Sequence, residues 1–548
     1  MNKTGIRKKE NRIYFFLFLL VWCMQMLTAV YFCCQKQGFH EDEYYTYYST
    51  ARTYGLMIED SAWMERDTYF DEFVVLEGQG FQYGLVKLVQ SWDVHPPVYY
   101  WLFHTVCSFF PGQFSKWFGL GINLAAFGLS MFLLRCLSLK VTGYNEKLSL
   151  FVCFFYGFTP AVMSSVVFIR MYALLTVFVY LCAILHMSVI EKEREVLEVL
   201  SEEERAVKLS FGKFLLPLMA VTYLGFLTQY YYFIFLFFMA FAFCVYLLRR
   251  DRNLWNCIRY CLSQAAAFVL AYLTYPSCLG QMFRGQRGAQ ATSNFFDFSN
   301  TLTRISFFWI LLDEYVFGKA LLPLLIMLVT GAVFAVWKRK KAHGVQENHI
   351  AYELLLFAVA GYFLAVSKTA LLLGNTSVRY QTPIYGMTVL LLFGAAWEIG
   401  EWGCCRTSKK AFLTAAVAVL CMLVNLSGLL SERVVFLYPE ATERLAFARG
   451  KAAEDVPVVC LYDAGQSWCV WDCADQFFEY DRIYFASQND AEPILDAVIA
   501  GSDELIVYLS NTAEKQEQLE RILNSNPNLA AYELQYQEKY CDVYYFHA

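Results

Sequence analysis

The sequence predicts an all-α polytopic membrane bundle that carries a small α/β domain at its C-terminal end. Of the residues, 58 % are hydrophobic and only 17 % are charged, whereas a soluble domain carries about 25 % charged residues. The apolar residues come in blocks of about twenty, the length that crosses a hydrocarbon core of about 30 Å. The third observation is a polar tail after residue 430, in which short β-rich and helical patterns alternate.

The first apolar block, residues 13–34, follows a basic start, as the apolar region of a signal peptide does. It is longer than such a region, and it ends in the bulky residues Tyr31 and Phe32 without a small-x-small cleavage pattern. The sequence therefore predicts a retained transmembrane helix.

Ten further blocks bring the prediction to about eleven spans. The expected spans are 13–34, 115–138, 147–165, 170–190, 211–227, 230–249, 255–276, 319–337, 351–370, 383–400 and 411–430. Lys and Arg in short loops mark the cytoplasmic side of a membrane. With the N-terminus inside, the basic clusters at 135–147, 249–252, 338–341 and 406–410 all fall on that side. We expect a multi-pass protein of the cytoplasmic membrane with a cytoplasmic N-terminus.

Two aromatic runs, 96–111 and 295–317, are too short or too charged to cross, and we expect them as juxtamembrane helices on the outer face. A first outer loop then extends over about 35–114. The division that follows is a transmembrane module over 1–430 and an extracytoplasmic α/β domain over 431–548.

In this domain, the expected strands are Val456–Tyr462, Arg482–Phe485 and Glu504–Leu509, and the expected helices are Pro493–Ala500 and Ala513–Leu523. It also contains four cysteines: Cys460, Cys469, Cys473 and Cys541. An oxidising exterior would allow one or two disulfides, and the sequence does not give their pairing.

Polar clusters recur where the predicted spans meet the outer face. Glu41, Asp42 and Glu43 follow the first span directly. Three consecutive acids at a membrane boundary are costly unless they are solvated or used. The alternative to a functional site is a solvated helix end, because acids favour a helix N-terminus.

The first outer loop ends in Asp93-Val94-His95-Pro96-Pro97. Helix capping accounts for Asp93 and for a proline at a helix start. It does not account for His95, which is either a structural histidine or part of a site.

Two arginines stand on the predicted outer side, against the usual bias of basic residues: Arg170, followed by Tyr172, and Arg379, followed by Tyr380. A basic side chain that extends to the interface is the alternative interpretation. The planar guanidinium suits phosphate, because it donates two parallel charged hydrogen bonds. Carboxylates, a histidine and two arginines together suit an amphiphile with an anionic head and an apolar tail.

These motifs resemble those of the GT-C membrane glycosyltransferases, in particular the protein O-mannosyltransferases and the bacterial lipid A aminoarabinose transferases. The likeness rests on Asp42-Glu43, Asp93-x-His95-Pro96-Pro97, Arg170-x-Tyr172 and Arg379-Tyr380-x-x-Pro383, and it covers about residues 10–400. It implies a GT-C fold and an enzyme that transfers a sugar from a polyprenyl-phosphate donor to an extracytoplasmic acceptor, with inversion at the anomeric carbon.

The resemblance also implies a role for each residue that matches a motif. Asp42 would be the general base with Glu43 beside it, Arg170, Tyr172, Arg379 and Tyr380 would bind the donor phosphate, and Asp93, His95, Pro96 and Pro97 would shape the cavity. The position of His95 is often lysine in bacterial members. Some relatives use a divalent metal ion, and in this chain its ligands would be Asp42, Glu43 or Asp93.

Two other classes of protein compete with the transferase. A transporter or flippase of a lipid-linked sugar would place polar residues near mid-membrane on broken helices, whereas here they cluster at one face. A membrane scaffold that presents the tail would not need the arginines. The net charge of −5 is small and spread out, so nothing in the sequence indicates a nucleic-acid surface, and we expect no nucleic-acid partner. The sugar, and whether the acceptor is a lipid, a wall polymer or a protein, stay open.

Overall fold

A computed structural model describes residues 3–51, 58–197, 209–251, 254–339, 349–403, 407–431, 433–487, 492–512 and 514–548. These residues fall into two compact units. The first unit comprises residues 1–33, 90–99 and 119–435, and the second comprises 34–89, 100–118 and 436–548. Parts of the predicted basic loops, at 252–253, 340–348 and 404–406, lie outside the described residues.

In chain order, the α-helices are α1 Lys3–Gln35, α2 Glu41–Ala51, α3 Arg66–Phe70, α4 Tyr83–Trp92, α5 Val98–Ser108, α6 Lys116–Val141, α7 Glu146–Gly157, α8 Pro160–Val167, α9 Tyr172–Leu197, α10 Leu216–Thr228, α11 Tyr231–Asp251, α12 Leu254–Thr274, α13 Ser277–Phe283, α14 Gln286–Phe296, α15 Thr301–Tyr315, α16 Leu321–Arg339, α17 His349–Thr369, α18 Thr382–Gly403, α19 Thr407–Leu430, α20 Ala441–Ala453, α21 Cys469–Asp472, α22 Ala474–Phe477, α23 Glu492–Ile499 and α24 Lys515–Ser525. The strands are β1 Ala62–Glu65, β2 Val458–Tyr462, β3 Arg482–Ser487, β4 Glu504–Ser510, β5 Ala531–Gln537 and β6 Cys541–His547.

The first unit is a bundle of apolar helices. Within the part of the chain that the structure describes, eight helices are long and apolar enough to cross a membrane, or nine if the bent pair α7 and α8 is one span. Shorter apolar helices at Leu321–Val333 and Val419–Leu430 coincide with two further predicted spans. The chain is a multi-pass membrane protein, as its composition predicts.

The predicted span 147–165 is a helix pair bent by 58°. Asn145 begins α7, because its side-chain oxygen accepts a hydrogen bond of 3.1 Å from the Leu148 N–H. Pro160 begins α8, and the residue before a proline avoids the helical conformation. The break therefore falls at the proline.

The run 295–317, predicted as one surface helix, consists of several pieces. Helix α14 ends at Phe296, a short 3-10 turn covers Phe298–Asn300, and α15 follows. Asp297 causes the break, since its carboxylate accepts a hydrogen bond of 2.9 Å from the Ser299 N–H and caps the turn. The other predicted outer helix, 96–111, corresponds to α5.

The second unit contains a six-stranded sheet in the order β1-β3-β2-β4-β6-β5. Strand β2 pairs in parallel with both β3 and β4, and the other pairs are antiparallel. The three central strands have almost wholly buried side chains, as parallel strands covered on both faces do. Helices α23 and α24 contribute Leu495, Ile499, Leu519 and Ile522 to the core.

The predicted strands of the tail correspond to β2, β3 and β4, and its predicted helices to α23 and α24. Three strands were not predicted: β5, β6 and β1. Strand β1 comes from the loop predicted to lie outside after the first span, and it pairs with β3, with Ala62 opposite Phe485 and Glu65 opposite Arg482. Residues 34–89 and 100–118 accordingly cluster with the tail in the second unit.

Candidate active site

The ten predicted site residues are divided between the two units. Asp42 and Glu43 lie in the second unit, at the start of α2. The other eight lie in the first: Asp93, His95, Pro96, Pro97, Arg170, Tyr172, Arg379 and Tyr380.

The start of α2 is a capping box in which a histidine takes the usual place of Ser or Thr. The Glu43 carboxylate reaches back to accept a hydrogen bond of 2.7 Å from the His40 N–H. The His40 ring nitrogen Nδ1 accepts one of 3.1 Å from the Asp42 N–H. Each side chain thus satisfies a backbone donor at the helix end. These two hydrogen bonds fix the residue at which the helix begins.

Glu43 also forms a buried ion pair. Its Oε2 lies 2.9 Å from Lys36 Nζ, and both side chains are fully buried. Lys36 donates a second hydrogen bond, of 2.8 Å, to the Phe436 carbonyl. A buried charge needs such partners, and breaking the pair would strand the remaining charge. Glu43 is therefore engaged in holding the chain before α2 in place.

Asp42 differs from Glu43 in exposure. Its side chain is 30 % exposed, and its Oδ2 lies 3.7 Å from His40 Nδ1, too far for a hydrogen bond. It stands in the first turn of α2, where the positive end of the helix stabilises a carboxylate. Of the two predicted catalytic acids, Asp42 has the accessibility that a proton acceptor needs.

Three tyrosines hold α2 within the second unit. The Tyr44 hydroxyl accepts a hydrogen bond of 3.3 Å from the Asp475 N–H. The ring of Tyr45 stacks on Trp471 at 4.8 Å, and the Tyr47 hydroxyl donates to the Ser115 carbonyl at 2.7 Å. The aromatic residues after Asp42 thus pack on more than one side of the helix.

In the first unit, His95 connects Asp93 with Arg170. Its Nδ1 lies 3.1 Å from Asp93 Oδ2, and a terminal nitrogen of Arg170 lies 3.2 Å from both ring nitrogens. A neutral histidine that donates from Nδ1 to the carboxylate presents Nε2 as an acceptor for the guanidinium. The three side chains then form a hydrogen-bonded series in which Arg170 donates to His95 and His95 donates to Asp93.

The neighbours of Asp93 keep its carboxyl group ionised. Burial by itself raises the pKa of Asp93, but the interactions with His95 and the charge of Arg170 outweigh burial and hold that pKa below its ordinary value. The carboxylate is therefore an anion at neutral pH. It orients the histidine and through it the guanidinium.

Backbone contacts fix both ends of this group. Gln281 Nε2 donates hydrogen bonds to the carbonyls of Gln90 at 2.8 Å and Asp93 at 2.6 Å. Asn123 Nδ2 donates to the carbonyls of Val166 at 3.1 Å and Phe168 at 2.5 Å, just before Arg170. Sequence analysis missed both amides, since a lone Asn or Gln in an apolar block gives no signal of such a role.

Arg379 lies in an aromatic environment. Its guanidinium carbon is 4.9 Å from the ring centre of Phe168 and 5.1 Å from that of Tyr380, and it donates a hydrogen bond of 3.2 Å to the Tyr380 hydroxyl. The residue is 3 % exposed. Stacking against aromatic rings suits the flat guanidinium and directs its N–H groups along the plane.

The Tyr380 ring joins this environment to two other helices. Tyr172, the first residue of α9, and Tyr231, the first of α11, each have ring centres 5.8 Å from that of Tyr380. The predicted donor residues Tyr172, Arg379 and Tyr380 are thus brought together. Pro96 and Pro97, which follow His95 in the sequence, are both buried.

The second unit also contains a cavity of about 190 Å³ that sequence analysis missed. It is lined by Gly38, Phe39, His40, Glu41, Tyr44, Tyr438, Glu440, Arg444, Asp472, Asp475, Gln476, Gln537, Glu538 and Lys539. Its carboxyl groups outnumber its basic side chains, which are themselves paired: Lys539 with Glu41 at 2.5 Å, and Arg444 with Glu538. The lining comes from chain segments that lie far apart in the sequence, so no local pattern indicates it.

Three of the carboxyl groups that line this cavity have raised pKa values. Burial raises the pKa of Asp472 to about 7, and the nearby carboxylates of Glu538 and Glu41 add to the rise. Burial also raises the pKa of Glu538 to about 7 and that of Asp475 to about 6. At neutral pH this cavity is only partly ionised and presents hydrogen-bond donors as well as acceptors.

Among the residues that the structure describes, no group of three or more His, Cys, Asp and Glu side chains has the arrangement of a metal site. Of the predicted metal ligands, Glu43 does not fit, because its Oε2 is held by Lys36 and by the His40 N–H. A metal ion held by the other acids stays a prediction.

The whole chain is similar to ArnT from Cupriavidus metallidurans bound to undecaprenyl phosphate, at 11 % identity and a TM-score of 0.50, over 99 % of this chain and 98 % of that one. The apo form of that protein gives 10 % identity, a TM-score of 0.47 and 98 % of each chain. The archaeal oligosaccharyltransferase AglB from Archaeoglobus fulgidus, in complex with an inhibitory peptide and a dolichol-phosphate, gives 11 % identity and a TM-score of 0.46 over 93 % of this chain and 71 % of that one.

By sequence, no family model and no curated protein matches this chain. The likeness to ArnT concerns the fold. It confirms the predicted architecture: a multi-pass helical membrane protein with the fold of ArnT and a small C-terminal domain that contains a β-sheet.

Proposed function

We propose that this protein is an integral membrane glycosyltransferase that moves a sugar from a polyprenyl-phosphate donor to an extracytoplasmic acceptor. The observation that carries the proposal is the grouping of buried cationic side chains in a GT-C bundle. Arg170 is 3 % exposed and oriented by His95, and Arg379 is 3 % exposed and held by aromatic rings. A lipid phosphate is an anion whose tail belongs in such an apolar bundle.

In the proposed reaction, the acceptor hydroxyl gives its proton to the Asp42 carboxylate as its oxygen bonds to the anomeric carbon. The bond from that carbon to the phosphate oxygen breaks, and the lipid phosphate leaves with the electron pair. A positioned carboxylate contributes about 10²–10⁴-fold to such a step. Cationic donors act where the charge grows, on the leaving phosphate. Single displacement inverts the anomeric carbon.

The assignment of Asp42 as the base is supported by its exposure and its place in α2. Glu43, predicted beside it as a second catalytic acid, is better explained as a positioning residue, since it is fully buried in the ion pair with Lys36. The acceptor stays open among lipid, wall polymer and protein.

The first test is a transfer assay in lipid nanodiscs with a panel of polyprenyl-phosphate sugars and a cell-envelope extract as acceptor. We expect sugar-dependent release of polyprenyl phosphate by the wild type. Asp42→Asn should lose at least about 10²-fold in turnover and keep its donor affinity. Glu77→Gln, the same chemical change at an exposed acid of the first loop, is the matched control.

Full turnover by Asp42→Asn would refute the base assignment. Tight lipid binding without release from any donor, with the acceptor supplied as whole envelope, would instead favour the flippase. In that case the same nanodisc protein, reconstituted in vesicles, would move the lipid-linked sugar between leaflets without cleaving it.

A further inference from the structure

The four cysteines of the second unit lie in two close pairs. Cys473 Sγ is 3.4 Å from Cys541 Sγ, and Cys460 Sγ is 4.0 Å from Cys469 Sγ. All four side chains are fully buried. The partners are 68 and 9 residues apart in the sequence, so the fold brings the first pair together.

We propose that Cys473–Cys541 and Cys460–Cys469 are disulfide bonds in the mature protein. Four cysteines allow three pairings, and the two close contacts select one of them. The inference rests on the proposed function in one respect, because it requires the outward orientation of the tail. Disulfides form and persist on that side of the membrane, where the medium is oxidising.

The longer bond would join two chain segments that line the cavity of the second unit. Cys473 follows Asp472 and precedes Asp475, which both line that cavity. Cys541 begins β6, just after Glu538 and Lys539, which line it as well. The bond fixes the distance between a helical segment and a β-hairpin that otherwise meet only through packing and hydrogen bonds.

The shorter bond would fasten β2 to α21. Cys460 lies in the middle of β2, and Cys469 is the first residue of α21. The segment between them turns back at Asp463, whose carboxylate accepts a hydrogen bond of 2.8 Å from the Gly465 N–H. The two bonds together tie the short helices around Cys473 to two strands of the sheet, β2 and β6.

The oxidation is a thiol–disulfide exchange with a disulfide-bearing oxidant, either an oxidoreductase or a small-molecule disulfide. One cysteine thiolate attacks the disulfide of the oxidant and forms a mixed disulfide, which releases the first thiol of the oxidant. The partner thiolate then attacks the protein sulfur of the mixed disulfide and releases the second thiol. For each bond formed, the protein loses two protons and two electrons, and the oxidant is reduced to two thiols.

Exchange must precede closure of the domain. Burial, reinforced by the contact with Cys541, raises the pKa of the Cys473 thiol well above its ordinary value. The folded thiol is therefore a poor nucleophile. Oxidation during folding, followed by burial of the finished bond, explains how two bonds without solvent access are made.

Tryptic peptides provide a direct test. Cleavage after Lys451, Arg482 and Lys539 yields peptide 452–482, which contains Cys460, Cys469 and Cys473, and peptide 540–548, which contains Cys541. Purified full-length protein is alkylated with N-ethylmaleimide in denaturant, digested without reductant and analysed by mass spectrometry. We expect one linked species without alkyl groups, lighter by four hydrogens than the two reduced peptides, that separates on reduction.

Variants assign the pairing. Cys473→Ser should release peptide 540–548 with an alkyl group on Cys541 and keep the internal bond of peptide 452–482. The double variant Cys460→Ser/Cys469→Ser should keep the link between the peptides. A link that persists in Cys473→Ser would overturn the pairing. Four alkylated cysteines in the wild-type digest, or a zinc ion in its native mass spectrum, would overturn the disulfides themselves, and neither result requires a variant to fold.

Failure of this proposal is distinguishable from failure of the proposed function. The distinguishing experiment introduces a cysteine at the exposed Asn528 and treats intact cells with a membrane-impermeant maleimide. It asks whether this cysteine is labelled before the cells are lysed. Labelling from outside together with four reduced cysteines would reject the disulfides and leave the transferase intact. Labelling only after lysis would reject the orientation, and with it both proposals.

Discussion

A terminal nitrogen of the Arg170 guanidinium lies 3.2 Å from each ring nitrogen of His95, and the histidine meets Asp93 at 3.1 Å. The histidine is thus the middle member of a group that begins with an anion and ends with a cation. Through these contacts the histidine links the Arg170 guanidinium to the Asp93 carboxylate.

We predict that His95→Ala lowers kcat/KM for transfer by about 10–100-fold, the value of one or two lost charge-assisted hydrogen bonds. His95→Gln, whose amide can bond to both neighbours, should recover part of the loss. Steady-state kinetics in nanodiscs measure both variants, with His547→Ala, near the exposed end of the chain, as the control. Equal losses in Ala and Gln variants would speak against a bridging role.

We predict that Arg379→Ala weakens donor binding by about 10–100-fold, because a charged hydrogen bond contributes about 1.5–3 kcal/mol. Arg379→Lys should recover the charge and lose the stacking on Phe168 and Tyr380. The measurement is the affinity for a polyprenyl-phosphate in nanodiscs, and Arg287→Ala on the exposed face of α14 is the control. Unchanged donor affinity with a raised KM for the acceptor would assign Arg379 to the other substrate.

We predict that Glu43→Gln destabilises the protein by about 3–5 kcal/mol, because it leaves the Lys36 ammonium buried without its counter-charge. The double variant Lys36→Met/Glu43→Leu should be far more stable than Glu43→Gln. Asp42→Asn, at the more exposed neighbouring position, should change stability by less than about 1 kcal/mol. Thermal unfolding in detergent compares the three, and a wild-type melting temperature for Glu43→Gln would contradict a structural role.

The acidic cavity makes a prediction about pH. A carboxyl group whose pKa is raised by folding binds more protons in the folded state, so it lowers stability as pH rises from its ordinary pKa to its folded one. For Asp472 and Glu538, with folded pKa values of about 7, that window runs from about 4 to 7. Asp472→Asn should therefore be more stable than wild type at pH 8, by about 1–3 kcal/mol, and equal to it near pH 4. A constant difference across this range would contradict the shift.

Reduction gives a prediction about stability. By loop-closure entropy, a bond across 68 residues contributes about 4 kcal/mol and a bond across 9 residues about 2–3 kcal/mol. Cys473→Ser should therefore lower the melting temperature of the tail more than Cys460→Ser does. Melting curves of wild type with and without reductant set the scale, and a wild type that is indifferent to reductant would argue against both bonds.

Sequence patterns predicted the elements whose signal is local. The apolar blocks and the β-rich runs of β2, β3 and β4 each contain enough buried residues to identify the element. Strand β5 is an edge strand whose Tyr, Glu and Gln residues are not buried, which weakens the apolar pattern. Strand β6 is mostly buried, but Asp542 and His547 interrupt its apolar run. Strand β1 is four residues long and has its partner far along the chain.

The candidate site shows the same division. Asp42, Arg170 and Arg379 were predicted as site residues from residue type and position at the predicted outer boundary, and their roles stay predictions. The roles of His95 and Glu43 depend on partners that only the fold supplies: Arg170, 75 residues away, and Lys36, which no capping pattern includes. A histidine as helix cap also hides the capping box, since the usual pattern begins with Ser or Thr.

The pairing of β1 with β3 has a consequence for biosynthesis. A ribosome completes residues 62–65 long before it makes residues 482–487, and every intervening span is inserted in between. The early segment must wait, unpaired, until the last part of the chain arrives, which makes this sheet slow to form. A chain that stops after residue 430 would therefore keep strand β1 without the strand with which it pairs.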